Sequence, residues 1–260
     1  RSEGVAMTNI DVLTYGFSLV SDQGAFGFST ISLLTVGEQR ILIDTGPSSR
    51  RTMLYKALEG RGLAPEDIDL VVLTHLHWDH CQNADLFPDA RVLVHPKEID
   101  YARNPRRGDH QIATYFSDML AKLRVVPISE GDRIAEGVSV IDTPGHTKGH
   151  VSVVVSVDGK DVLVTGDALP DGGTVRRGLP YNVFWDVGDA ADSVEKMVAS
   201  AEVFYPGHDR PFTLDGGRIG YLEGPIGMEV TGYVDGGAPA SMTYTVHPMR
   251  EPNIDPVQKG

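Results

Sequence analysis

Apolar runs of strand length alternate along this chain with segments of helical spacing. Ile31 to Val36 runs apolar, Gly37-Glu38-Gln39 turns it, and Arg40-Ile41-Leu42-Ile43 returns to Asp44-Thr45-Gly46. Much later Val151 to Val157 is a strand, Asp158-Gly159-Lys160 turns, and Asp161-Val162-Leu163-Val164 returns to Thr165-Gly166-Asp167. Both patterns predict hairpins whose second strand ends in an acidic, glycine-containing loop. Further strands are expected at Leu70 to Leu73, Arg91 to Val94, Val125 to Ile128, Val138 to Asp142 and Glu202 to Tyr205.

Helical spacing falls between them. Ser49 to Gly62 carries Met53, Leu54, Ala57 and Leu58 and ends at a glycine suited to a C-cap. Asp79 to Leu86 predicts a short helix. Ala113 to Leu123 and Ala190 to Ala201 predict two more, with Met119 and Met197 as core residues. Strands interleaved with helices imply an α/β fold of two β-sheets covered by helices. The stretch 167–188 is rich in glycine and proline and is expected to be a functional loop. Residues 1–212 are expected to form the main domain. Residues 213–260 read as an appended hairpin, near Met228 to Val234 and Ser241 to Val246, with a polar tail.

Composition narrows the partners. The chain has 260 residues, 41% hydrophobic and 23% charged, with a net charge of −13. That charge argues against nucleic acid, and Arg103, Arg106, Arg107, Arg176 and Arg177 read as solvated loops. No apolar stretch approaches a membrane span, and Arg1-Ser2-Glu3-Gly4 opens without a signal core. A single cysteine, Cys81, fits a reducing, cytoplasmic setting and reads as a small buried hydrophobe. A small-molecule substrate and a homodimer complete the expectation.

The chemistry concentrates after the strand Leu70 to Leu73, where Thr74-His75-Leu76-His77-Trp78-Asp79-His80 places four potential metal ligands within six residues. Imidazole with carboxylate suits zinc, iron or manganese. Three more motifs follow strands: Thr143-Pro144-Gly145-His146, Thr165-Gly166-Asp167 and Tyr205-Pro206-Gly207-His208. Five histidines and two aspartates on one rim exceed the needs of one tetrahedral ion and suit two metals.

These residues resemble the metallo-β-lactamase superfamily of dinuclear hydrolases, over about Ile10 to Phe212. The resemblance implies an αββα sandwich of two mixed sheets flanked by helices. It implies two divalent ions, zinc first and iron or manganese as alternatives. His75, His77 and His146 would hold the first, Asp79, His80 and His208 the second, and Asp167 would bridge them. Asp44 would orient ligand histidines from behind. His150 matches a motif position without being a usual ligand and is assigned a structural hydrogen bond. His95, His110 and His247 read as ordinary histidines.

The implied reaction is hydrolysis by a metal-bridging hydroxide, with Asp79 as ligand and proton carrier. The pattern is closest to lactonase-like members, which favours an ester or lactone-type carbonyl. Those members place a tyrosine three residues after the bridging aspartate, where this chain has Pro170, so Tyr181 is the substitute catalytic hydroxyl. Trp78, Phe184 and Trp185 are expected to wall the substrate pocket. The alternatives are a phosphodiesterase of the same fold and a mononuclear iron persulfide dioxygenase.

Overall fold

The computed structural model describes residues 8–21, 24–234, 238–245 and 253–254. In the first half come β1 (Thr8–Thr14), β2 (Phe17–Ser21), β3 (Gly24–Phe28), β4 (Ile31–Val36), β5 (Gln39–Ile43), β6 (Leu70–Val72), β7 (Arg91–Val94) and β8 (Arg124–Pro127). Six of them form one sheet in the order β1-β4-β5-β6-β7-β8. Its first half is antiparallel, and β5 to β8 run parallel. The parallel steps are crossed by α1 (Arg51–Glu59), α2 (Trp78–Cys81), α3 (Pro96–Arg103) and α4 (Phe116–Leu120). β2 and β3 form a separate hairpin.

The second half holds β9 (Arg133–Ala135), β10 (Val138–Asp142), β11 (Val151–Val157), β12 (Lys160–Gly166), β13 (Asn182–Val183), β14 (Val203–Pro206), β15 (Phe212–Asp215) and β16 (Arg218–Tyr221). All but β13 form a seven-stranded sheet, β16-β15-β14-β12-β11-β10-β9. Helices α5 (Gly172–Arg177) and α6 (Val187–Ser200) lie between β12 and β14. β17 (Gly227–Val234) pairs with β18 (Ala238–Thr245), and β19 (Asn253–Ile254) pairs in parallel with β13. No helix among the described residues is long and apolar enough to cross a membrane.

Alternation along the strands sorts the core into layers. Leu34, Ile41, Ile43 and Val72 pack against Val140, Val153 and Val155 between the two sheets. Their neighbours Leu33, Leu42, Val71 and Val92 turn to the other face and meet Leu54, Leu58 and Tyr101. Behind the second sheet, Leu163, Phe204 and Phe212 meet Val194 and Met197 of α6. Central strands are therefore apolar on both faces, which is why they read as unbroken runs. Phe204→Ala should lower stability by about 3–5 kcal/mol, checked by denaturant unfolding.

Both predicted hairpins are present as β4–β5 and β11–β12. The glycine cap of α1 is Gly62, at φ +69°. Leu63 N donates to Leu58 O at 3.0 Å and Gly62 N to Glu59 O at 2.9 Å, a Schellman closure. Met53 is 48% exposed, because α1 buries only the stripe carrying Leu54 and Leu58. Met119 is partly buried and Met197 fully buried.

The helix expected over 79–86 stops at Cys81 and resumes as a single 3-10 turn at Ala84–Leu86. Asn83 breaks it by donating its side-chain amide to Thr45 O and Pro47 O. The helix expected over 113–123 shrinks to α4. The stretch 167–188 is not all loop: the Asp171 carboxylate caps α5 by accepting from Thr174 N, and Gly178 ends it at φ +69°. Asp186 caps α6 in the same way, three residues before the expected start. The second sheet also runs past Phe212 to Tyr221.

Candidate metal centre

The seven expected ligands leave the ends of β6, β12 and β14 and the loop after β10. They meet in one buried cluster. His75 Nε2 lies 3.0 Å from His77 Nδ1, and His146 Nε2 lies 2.9 Å from the same atom. The outward nitrogens have acceptors of their own. His146 Nδ1 faces Asn182 O at 2.9 Å, and His77 Nε2 faces Asp109 Oδ2 at 3.2 Å. Burial opposes the charge on Asp109, but His77 and the Tyr101 hydroxyl overcome it and hold the carboxyl down at about 2. A carboxylate and a carbonyl can only accept, so each ring donates outward and turns its lone pair inward. Two lone pairs 2.9 Å apart require a positive charge between them.

The second cluster follows the same logic. His80 Nδ1 donates to Asp44 Oδ2 at 2.7 Å, and His208 Nδ1 to Phe28 O at 2.9 Å. Their Nε2 atoms face Asp79 Oδ2 at 3.9 and 3.4 Å. Asp167 touches both clusters: Oδ2 is 3.1 Å from His208 Nε2 and 3.4 Å from His146 Nε2, and Oδ1 is 3.3 Å from His80 Nε2. Yet His80 Nε2 and Asp167 Oδ1 are buried without any hydrogen bond. Such orphaned atoms are costly unless an ion coordinates them. Burial also favours neutral imidazole at the first cluster, pushing His146 down to about 4. His80 is also opposed by burial, but Asp167, Asp44 and Asp79 lift it well above the usual range. These residues are arranged to bind metal ions: three buried ligand groups overlap here, with His75 and His80 each shared.

Asp44 occupies φ +59° directly after β5. Its Oδ1 accepts from Thr74 N at 2.8 Å while Oδ2 holds His80, so it orients a ligand from behind. His150 has the expected structural bonds. Its Nδ1 meets Thr143 Oγ1 at 2.9 Å, and its Nε2 accepts from Asp167 N and Ala168 N at 3.0 and 3.2 Å. Pro170, at the family's tyrosine position, accepts His208 N at 2.8 Å. Cys81 is buried in the core, His95 caps α3, His110 is exposed, and His247 lies outside the described residues.

Sequence reasoning missed several supports. Asp109 lies 32 residues from His77 and carries no motif. Glu98 is fully buried on α3 and accepts from Leu76 N at 3.0 Å and Gly149 N at 2.8 Å, tying two ligand loops together. The hairpin β2–β3 supplies carbonyls to His208. Asp109→Ala should weaken metal at the first cluster about 10–100-fold, measured by competition with a chelating dye.

A cavity of about 370 Å³ opens over Asp79, Asp167 and His208. Trp78, Tyr181 and Phe184 line it, as expected, together with Ser18, Gln111 and Asn182. The Phe184 ring meets His77 and His146 edge-on at 5.2 and 5.4 Å. The Tyr181 ring lies 6.3 Å from that of His208. Trp185 does not line the cavity, a correction to the expected wall. It packs edge-on against Tyr101, carries Arg106 at 4.2 Å and Lys148 at 4.9 Å over its ring, and donates Nε1 to Asp189. Cation–π contacts and a polar anchor draw its indole to the outer face. Arg106 is thereby a packed residue, and Arg177 is paired with Asp171. Trp185→Ala should destabilise by about 2 kcal/mol without changing substrate ranking, read from Tm and a substrate panel.

Residues 24–208 match the sequence profile of the Metallo-beta-lactamase superfamily. A Methanocaldococcus jannaschii protein of metallo-hydrolase type is 31% identical over 194 residues, 70% of this chain and 89% of that one. Metallo-beta-lactamase domain-containing protein 1 of Xenopus laevis is 32% identical over 208 residues, 78% of this chain and 81% of that one. Among solved structures, a mutant of B. thuringiensis AiiA with N-decanoyl-L-homoserine at its active site superposes with a TM-score of 0.65. It is 20% identical, covering 79% of this chain and 94% of that one.

Proposed function

Because this chain belongs to the metallo-beta-lactamase superfamily and is a metallo-hydrolase, we propose that it binds two divalent ions and cleaves an ester or lactone-type carbonyl substrate. His75, His77 and His146 would hold one ion, Asp79, His80 and His208 the other, with Asp167 between them. Zinc suits this nitrogen-rich set best, with iron or manganese as substitutes. Bound dications would polarise the carbonyl and lower the pKa of water.

The chain's own groups then divide the work. Hydrolysis takes one proton from water and must deliver one to the departing alkoxide oxygen. Asp79 lines the cavity, and its Oδ1 has no hydrogen-bond partner among the described residues, so that atom is the carrier. The Tyr181 hydroxyl, on the wall near His208, is the donor to the substrate carbonyl. Phe184 and Trp78 cover the apolar part of the substrate and exclude water.

The observation that carries the ester or lactone reading is the cavity lining. It combines two aromatic rings with neutral polar groups and no lysine or arginine. A phosphodiesterase needs fixed positive charge around its anion. The AiiA structure, whose bound molecule is an acyl-homoserine, shares only the fold and is consistent with this reading. The test is a panel of lactone, aryl ester, thioester and bis-p-nitrophenyl phosphate with the zinc-loaded protein. A lactone or ester should be cleaved fastest. Faster cleavage of the phosphodiester than of every carbonyl substrate would reverse the reading. Phe184→Ala should reorder the carbonyl substrates while metal content by elemental analysis stays at the parent level.

A further inference from the structure

Gln111 is held at three points. Its N donates to Asp109 Oδ1 at 3.1 Å, its O accepts from Trp78 N at 3.0 Å, and its Oε1 accepts from the Trp78 indole Nε1. An indole N–H only donates, so the amide must present Oε1 to Trp78 and turn its NH₂ the other way. Gln111 lines the cavity, and its Nε2 has no hydrogen-bond partner among the described residues. It is therefore a rigid neutral donor, fixed to the ligand segment through Trp78 and to the His77 support through Asp109.

We propose that Gln111 determines specificity by donating Nε2 to an acceptor oxygen of an uncharged substrate, at a point away from the bond that breaks. Preorganisation is the reason it matters: both neighbours of the donor are already fixed, so ordering it costs little when substrate arrives. The substrate is uncharged because no lysine or arginine lines the cavity, and the cations Arg106 and Lys148 stack on Trp185 outside it. An amide, ester or ether oxygen on the substrate's side chain has the required chemistry. A plain hydrocarbon chain would leave the donor unpaired once water is expelled.

The inference rests on the carbonyl-hydrolase reading, and the test separates the two. The zinc-loaded parent, Gln111→Leu and Gln111→Glu are assayed with p-nitrophenyl N-acetylglycinate and p-nitrophenyl pentanoate. The acyl chains match in length and differ by the amide. The ratio of kcat/KM values, amide ester over plain ester, should fall about tenfold in both variants. Turnover of the pentanoate and the metal content should hold in Gln111→Glu, which keeps the bond from Trp78 Nε1 but has no N–H to donate. An unchanged ratio in Gln111→Glu overturns the proposal, even where Gln111→Leu fails to fold. A parent that cleaves neither ester defeats the carbonyl reading instead. Calorimetric titration with N-hexanoylglycinamide then decides, because the parent should bind about tenfold more tightly than Gln111→Glu. Equal affinities, or no binding to the parent, overturn the role of Gln111.

Discussion

Asp167→Ala should cost the protein most of its bound metal and at least about a thousandfold in turnover, or about 4 kcal/mol of barrier. Its carboxylate is the one ligand-type group with contacts to histidines of both clusters, reaching His146 on one side and His80 and His208 on the other. Removing it leaves His80 Nε2, already without a hydrogen bond, facing a void. It also removes a counter-charge from a site where cations would lie a few ångströms apart. The backbone should survive, because Asp167 N and Ala168 N bind His150 whatever side chain follows. Elemental analysis after zinc saturation, with circular dichroism as a fold control, is the measurement. Two ions per chain in a folded Asp167→Ala variant would remove the bridge from the mechanism. His146→Ala and His208→Ala give the complementary pattern, each emptying mainly its own cluster.

The two sheets were legible because their strands obey period-two burial or run apolar on both faces. Leu33 and Leu34 point to opposite layers, as do Leu42 and Ile43. The ligands were legible because each leaves a strand end beside a small or polar residue, a local pattern that needs no tertiary knowledge. Asp44 was legible for the same reason, following β5 directly. What holds those ligands in place was not legible. Asp109, Glu98, Asn182 and the Phe28 carbonyl act across 32, 22, 36 and 180 residues, and no periodicity reports such pairings. Trp185 misled because aromatic composition does not say which way a ring turns. Its neighbours Arg106 and Lys148 decide that, from two other loops. The helix α5 was hidden by Gly172 and Gly173, which read as loop until the Asp171 cap and its contact with Arg177 are seen.

Gly207→Ala should be nearly as damaging as loss of the bridge, although the change adds only one methyl group. A Cβ at this position would collide with Asp167 Oδ1 and come within 2.8 Å of the Gly166 carbonyl. Neither side can move away cheaply. Gly207 N donates to Gly166 O at 3.0 Å, and Gly207 O accepts from Thr30 N at 2.7 Å, so the residue is pinned to both neighbouring segments. The Gly207 carbonyl also packs where Gly16 has no side chain. Relief must therefore come from rotating Asp167 away from the histidines or from shifting His208, the next residue. Overpacking of this kind costs about 1–3 kcal/mol in stability. The larger effect is on metal, since either escape withdraws ligands from the second cluster. Affinity there should fall by about two orders of magnitude, the upper range for disturbed ligand supports. Gly224→Ala, which would meet nothing within 4 Å, is the control and should be neutral. A Gly207→Ala protein with parental Tm and full metal loading would show that the strand end can yield, and that the rigid placement of His208 beside Asp167 is not what assembles the site.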